Sequence, residues 1–382
     1  MQPAIRNPQP VSSLLGGAIG DALGASVEFL SISQIREKFG DDGITDYCEF
    51  PDGHGEFTDD TQMTLFTAEG LLRASGASRR PAQCQGSDCL PQATPQPTLG
   101  IATSSHQSYM RWLITQGRTP GYRDEWIGEN IESGWLIKGK ALHVLRAPGN
   151  TCLSSLESGI MGTIEKPIND SKGCGGIMRM APVGLIINNP EAAFKYGCEL
   201  AAITHGHPSG YLSAGFFAAL IQLLCSGVNL EDAIDLSSEL LKNHKDHEET
   251  LEAVEGAVYL FHQAKKSGLK TSELPELIEQ LGQGWVAEET LAISLFCSLL
   301  YQNDFAKGVL ASVNHSGDSD STGAITGNIL GLINGLDAIP DKWITKLHHA
   351  NIVRQVGEDL ATGCKGDMNN TDQEWWDKYP GF

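Results

Sequence analysis

Apolar residues recur along most of this chain at the three- and four-residue spacing that lines one face of an α-helix. Residues 12–23 set Leu14, Leu15, Ala18, Ile19 and Ala22 on one stripe, and the same spacing runs through 61–72, 107–115, 192–204, 213–225, 230–241, 250–264 and 288–300. Shorter stretches at 273–281 and 323–333 follow it. Alternation of period two, the mark of a half-buried strand, is almost absent. Gly and Pro gather between the periodic stretches, at 51–55, 148–150 and 173–176, where turns are expected. No fixed-period repeat occurs, which argues against a helical solenoid. The pattern predicts one compact all-α domain over 1–382. Residues 75–99 depart from it, with four prolines and few apolar side chains. They read as a surface insertion, either a linker or an arm that covers a site or binds a partner.

Composition narrows the function classes. The 382 residues suffice for a large core, and a hydrophobic fraction of 41% is ordinary for a globular chain. Against 47 acidic residues stand 27 basic ones, a formal charge of −20. Such a surface repels nucleic-acid phosphates and anionic lipid, so neither is expected as a partner. An anionic substrate would need local help from helix N-termini, basic side chains or metal cations. The apolar runs at 216–225 and 291–301 fall short of the ~20 residues that cross a bilayer, and residues 1–11 lack the features of a signal peptide. Cys198, Cys225 and Cys297, among nine cysteines, sit in apolar surroundings. Reduced core thiols and a cytoplasmic location are expected, with Cys84 and Cys89 unpaired.

Two acidic motifs each precede an apolar helical stretch. The first is Thr58-Asp59-Asp60-Thr61; the second is Gly317-Asp318-Ser319-Asp320-Ser321-Thr322-Gly323. Either could be an ordinary helix cap, since these side chains accept from free N–H groups and acids suit the helix N-terminus. Asp59 and Gln62 even have capping-box spacing. Brought together, the two motifs would instead offer four carboxylates and several hydroxyls, a donor set for Mg²⁺ or Mn²⁺. A pair of such ions ~3.5–4 Å apart can orient a substrate and activate water. A calcium-binding EF-hand loop is excluded, because its twelfth position would be Ile329 rather than Glu.

Three further segments carry polar residues with a chemical reading. In Gly16-Gly17-Ala18-Ile19-Gly20-Asp21-Ala22-Leu23-Gly24, glycines inside a helix cost stability and call for close packing or ligand approach. Asp21 reads as a bond to a neighbouring helix, and Glu28, at the end of the stretch, reads locally as solvent-facing. Ser171-Lys172-Gly173-Cys174-Gly175-Gly176 is either a plain turn or a backbone cradle for phosphate. His205-Gly206-His207 has zinc-like spacing, but no third His or Cys ligand accompanies it.

In this order the segments resemble the ADP-ribosylglycohydrolase family, over roughly residues 14–335 with an echo at 375–381. The resemblance implies an orthogonal multi-helix bundle with two Mg²⁺ or Mn²⁺ ions at the base of a cleft. It makes Thr58, Asp59, Asp60, Asp318, Asp320 and Ser321 metal ligands. Asp60, Glu28 and Asp318 become catalytic groups, which reverses the local reading of Glu28. Ser171, Gly173, Cys174, Gly175, Gly176 and His205 would bind the ADP-ribose. Ser321 stands where many members have Thr, and Cys174 where others have Asn. The implied reaction removes ADP-ribose from a modified protein, with arginine the expected acceptor because the glycine-rich pieces look closest to bacterial arginine-type members. Serine linkage, a non-catalytic ADP-ribose binder, and an immunity protein that meets an ADP-ribosylating toxin through 75–99 are the alternatives.

Overall fold

The computed structural model describes residues 9–77, 100–121, 131–268, 273–363 and 373–380. Seventeen α-helices lie among them and no strand; two isolated bridges, Gly55 with Leu347 and Gly173 with Val286, are the extended pairings present. The all-α expectation therefore holds. In order these are α1 (Gln9–Gly24), α2 (Ile32–Phe39), α3 (Asp59–Ala77), α4 (Ile101–Thr115), α5 (Asn150–Glu157), α6 (Ala181–Ile186), α7 (Pro190–Ala202) and α8 (Pro208–Cys225). Then come α9 (Leu230–Leu241), α10 (Glu248–Ser267), α11 (Leu274–Ile278), α12 (Ala287–Leu300), α13 (Phe305–Val313) and α14 (Ser319–Asn334). The last three are α15 (Asp341–Lys346), α16 (Ala350–Gly363) and α17 (Gln373–Lys378). Residues 75–77, read as the start of an insertion, belong to α3, which continues to Ala77. Residues 78–99, with Cys84 and Cys89, lie outside the described residues.

Two helices organise the core. α8 is 18 residues long and apolar enough by length and composition to cross a membrane, yet most of it is buried, with α6, α7, α9 and α12 packed around it. α1 is buried along Pro10–Gly24, between α14 on one side and α16 on another. A helix apolar on every face belongs inside a protein, which is where α8 sits; α1 is buried as fully although it carries Asp21.

Glycines set how closely α1 and α14 approach. A Cβ on Gly20 would stand 1.9 Å from the carbonyl oxygen of Gly323, and one on Gly24 would stand 2.2 Å from that of Ser319. This close approach is the reason for the glycine spacing in α1, and it brings Asp21 up to the N-terminus of α14. Farther out, buried Glu69 of α3 binds Arg73 and Arg111, and Arg73 reaches the carbonyl of Pro380. Tyr379, buried after α17, donates to Asp359 of α16, so the C-terminal segment is tied onto the core.

Candidate active site

The site lies where the N-termini of α3 and α14 meet the end of α1. Asp21 reaches from α1 to the start of α3, accepting from the Thr58 N–H (2.8 Å), the Thr61 N–H (3.0 Å) and the Thr61 hydroxyl (2.5 Å). A side chain from another helix thus shares the capping of α3 with the Thr58 hydroxyl, which accepts from the Asp60 N–H. The box expected between Asp59 and Gln62 does not form. Gln62 instead accepts from the Trp112 indole and the Gln116 amide, and Asp59 is left to accept from the Gly149 N–H at 3.2 Å. Of the Asp60 carboxylate, Oδ1 is buried without a hydrogen-bond partner.

The second motif is held in the same manner. Asp318 caps α14, accepting from the Ser321 N–H, while its own N–H donates to the Gln283 carbonyl at 2.8 Å. Asp320 Oδ1 also accepts from the Ser321 N–H, at 3.0 Å. Glu28 follows α1 in a half-buried turn, where the charges of Asp320, Asp59 and Asp21 act on it, so it belongs to the cluster rather than to the solvent-facing surface its local sequence suggests. Phe29 beside it has a left-handed backbone, φ 68°, and its exposed ring stacks on Trp285 at 5.3 Å. Nothing in the local sequence of either aromatic signals this pairing.

Electrostatics at this junction is unbalanced. Asp21, Asp59, Asp60, Asp318 and Asp320 are each at most 5% exposed. Among the described residues none of them, nor Glu28, forms an ion pair with a basic side chain. Burial first, and then the Asp320 charge, lifts the Asp21 carboxyl to about 7 and that of Glu28 to about 9. The same two causes raise Asp59, Asp60 and Asp318 well above the ordinary carboxylate range. Buried like charges of this density are stable only when protonated or when cations lie among them. Thr58, Asp59, Asp60, Asp318, Asp320 and Ser321 offer oxygen donors alone, which suits a hard divalent ion.

The glycine-rich segment borders the cluster. Cys174–Gly176 form one turn of 3₁₀ helix, and burial, then the Asp318 charge, pushes the Cys174 thiol well above its ordinary pKa. Not all of its N–H groups are open to an anion: that of Cys174 donates to the Trp285 carbonyl at 3.2 Å and that of Gly173 to the Ser171 hydroxyl at 3.4 Å. The Gly176 N–H is taken up by the 3₁₀ turn, which closes back on the Gly173 carbonyl, so Gly175 supplies the remaining N–H. The Ser171 hydroxyl also meets that of Thr151, at 3.1 Å. His205 is buried beneath this turn, its Nδ1 on the Thr204 hydroxyl at 2.9 Å. A Cβ on Gly175 would lie 3.0 Å from the His205 ring, so that glycine is needed for packing as well as for approach. Burial and the nearby Arg179 lower His205 to about 3, and it stays neutral. Asn169, at the head of the glycine-rich segment, joins the two segments by accepting from the Ser171 and Gly206 N–H groups.

With this geometry in place, the model of the ADP-ribosylglycohydrolase family matches residues 9–370. The chain belongs to that family. An ADP-ribosyl-[dinitrogen reductase] glycohydrolase from Rhodospirillum rubrum is 24% identical, over 92% of this chain and 95% of the relative. An ADP-ribosylarginine hydrolase, Tri1, from Pseudomonas putida is 23% identical over 91% of this chain and 76% of its own length. Human ADP-ribosylhydrolase ARH3 is 24% identical over 45% of this chain and 53% of its own. A solved structure titled ADP-ribosylglycohydrolase-related protein complex shares the fold, with a TM-score of 0.55 at 22% identity over 94% of this chain and 98% of that one. As an ADP-ribosylglycohydrolase the chain acts as a hydrolase on ADP-ribosylated proteins.

Proposed function

We propose that this ADP-ribosylglycohydrolase cleaves the N-glycosidic bond between ADP-ribose and a protein arginine, reversing mono-ADP-ribosylation. The observation that carries the chemistry is the set of five buried aspartates, at most 5% exposed, with no ion-paired cation among the described residues. Thr58, Asp59, Asp60, Asp318, Asp320 and Ser321, oxygen donors alone, would hold two Mg²⁺ or Mn²⁺ ions. When bound, such ions lower the pKa of a water and fix its direction of attack.

The chain's own groups do the rest. Glycosidic cleavage passes through an oxocarbenium-like state and needs a proton for the leaving nitrogen. Glu28, half-buried at the edge of the cluster and pushed upward first by burial, is the carboxyl placed to deliver it. Asp60 Oδ1, free of any hydrogen bond, can accept one from the attacking water. Gly175 offers its N–H to the diphosphate, with His205 packed beneath the turn. Divalent cations at the centre also offset the repulsion between a chain of net charge −20 and an anionic substrate.

Arginine is favoured by the glycine-rich segments and by a relative named an arginine hydrolase that matches 91% of this chain. The test offers the enzyme two substrates, one arginine-ADP-ribosylated and one serine-ADP-ribosylated, and measures free ADP-ribose. Faster release from the arginine-linked protein is expected. Release from the serine-linked protein alone would replace the arginine assignment and leave the hydrolase intact.

A further inference from the structure

Outside the acidic centre, two loops bring histidines together. Residues 51–58 and 346–349 are locked by backbone bonds, the Gly55 N–H to the Lys346 carbonyl (3.1 Å) and the His348 N–H to the Gly55 carbonyl (2.9 Å). His54 is sandwiched between Phe50, 4.1 Å away, and His348, 3.7 Å away, with all three rings nearly parallel. Its Nδ1 is bonded to the Asp52 carboxylate, while its Nε2 is buried and has no hydrogen-bond partner. Glu56 Oε1 lies 3.5 Å from that orphan nitrogen and 3.1 Å from His348 Nδ1. The other Glu56 oxygen faces Arg146 at 3.6 Å, which leaves Oε1 to the histidines.

We propose that His54, Glu56 and His348 form a second metal site, separate from the acidic centre, for a borderline divalent ion of the Zn²⁺ class. One donor atom from each of the three lies within 4.8 Å of the others. Tetrahedral zinc with ligands at about 2.1 Å sets neighbouring donors about 3.4 Å apart, close to the His54–Glu56 separation. Imidazoles select such ions over Mg²⁺. The bond from Nδ1 to Asp52 matches the outer carboxylate that orients a metal-bound histidine, and it points the Nε2 lone pair inward. As the rings stack, one ion cannot lie in the plane of both. His348, with a side chain 45% exposed, is the one free to turn, whereas His54 is clamped from both faces. The ion would fasten the loop that leads into Thr58 and Asp59 to the turn before α16.

The test uses the full chain after chelation and dialysis, in an Asp60→Asn/Asp318→Asn background that weakens the acidic centre. Zn²⁺ alone is titrated by calorimetry, and Co²⁺ is followed by its visible spectrum. One Zn²⁺ per chain and an intense tetrahedral Co²⁺ band are expected. Adding His54→Ala or His348→Gln should weaken Zn²⁺ binding at least tenfold, with far-UV circular dichroism unchanged. His348→Gln is at a partly exposed position and guards against loss of fold. Zn²⁺ isotherms that do not change with either histidine substitution, or the absence of Zn²⁺ binding in the background protein, would overturn the proposal.

Discussion

Asp60 is fixed by its place at the start of α3 and by the Thr58 hydroxyl that accepts its N–H at 3.3 Å, while one carboxylate oxygen has nothing to bind. Replacing it with Asn keeps the shape and the helix start but removes the charge. Asp60→Asn should lower turnover by about 10²–10⁴-fold, the usual scale for a lost proton-transfer group, with helix content intact by circular dichroism. Turnover within a few-fold of the parent would remove Asp60 from the mechanism. The acids of the two motifs were legible because Thr-Asp-Asp-Thr and Gly-Asp-x-Asp-Ser concentrate oxygen donors over a few residues. Glu28 was legible only through the family resemblance: it stands alone in sequence, and packing of the α1 end onto the α14 start is what sets it beside Asp320. Asp21 was read as a bond to a neighbouring helix, and the structure gives it that bond, three times over, at the start of α3.

Among elements, α1 and α14 carry the most consequence, because their backbones touch through glycines and their ends bear Asp21, Glu28, Asp318 and Asp320. Gly20→Ala would press a methyl group onto the Gly323 carbonyl, where no flexible side chain can yield. Overpacking of this kind costs about 1–3 kcal/mol, and here it would also displace the N-terminus of α14. Chemical denaturation should record the loss, and Mg²⁺ or Mn²⁺ affinity should fall with it. Gly256→Ala, inside α10 where the added carbon meets only Leu281 at 3.7 Å, is the matched control and should be neutral or stabilising by up to about 1 kcal/mol. A neutral Gly20→Ala would mean that the helices can part without penalty. Long helices such as α8, α9 and α12 were evident from their apolar stripes. Helices α2, α5, α6, α15 and α17, of six to eight residues, make too few turns for a stripe to emerge. Tertiary contacts rather than local pattern hold them.

For the whole molecule, the buried acids make stability depend on pH in a window of their own. Asp21 and Glu28 hold protons up to about 7 and about 9 in the folded chain. In the unfolded chain they ionise near about pH 4. Their stabilising contribution is therefore full below the unfolded value and is lost as pH rises through the folded ones. The buried histidines act elsewhere. His205, lowered to about 3, and His106, lowered to about 4, cost stability only as pH falls below about 6.5, where the unfolded imidazole takes a proton. Chelated protein should thus melt at a lower temperature at pH 9 than at pH 7 in differential scanning calorimetry. Saturating Mg²⁺ or Mn²⁺ should raise the melting temperature at both pH values, and more at pH 9, where the cluster is ionised. A metal-free melting temperature that is flat over this window would mean that the acids are not the repulsive cluster the structure describes.

The most direct measurement is release of free ADP-ribose from an arginine-ADP-ribosylated protein, compared in Mg²⁺, in Mn²⁺ and in EDTA. The predicted result is release that requires a divalent ion and collapses in Asp318→Asn. Full release in EDTA, or undiminished release by Asp318→Asn, would contradict a cation-dependent centre built on these aspartates.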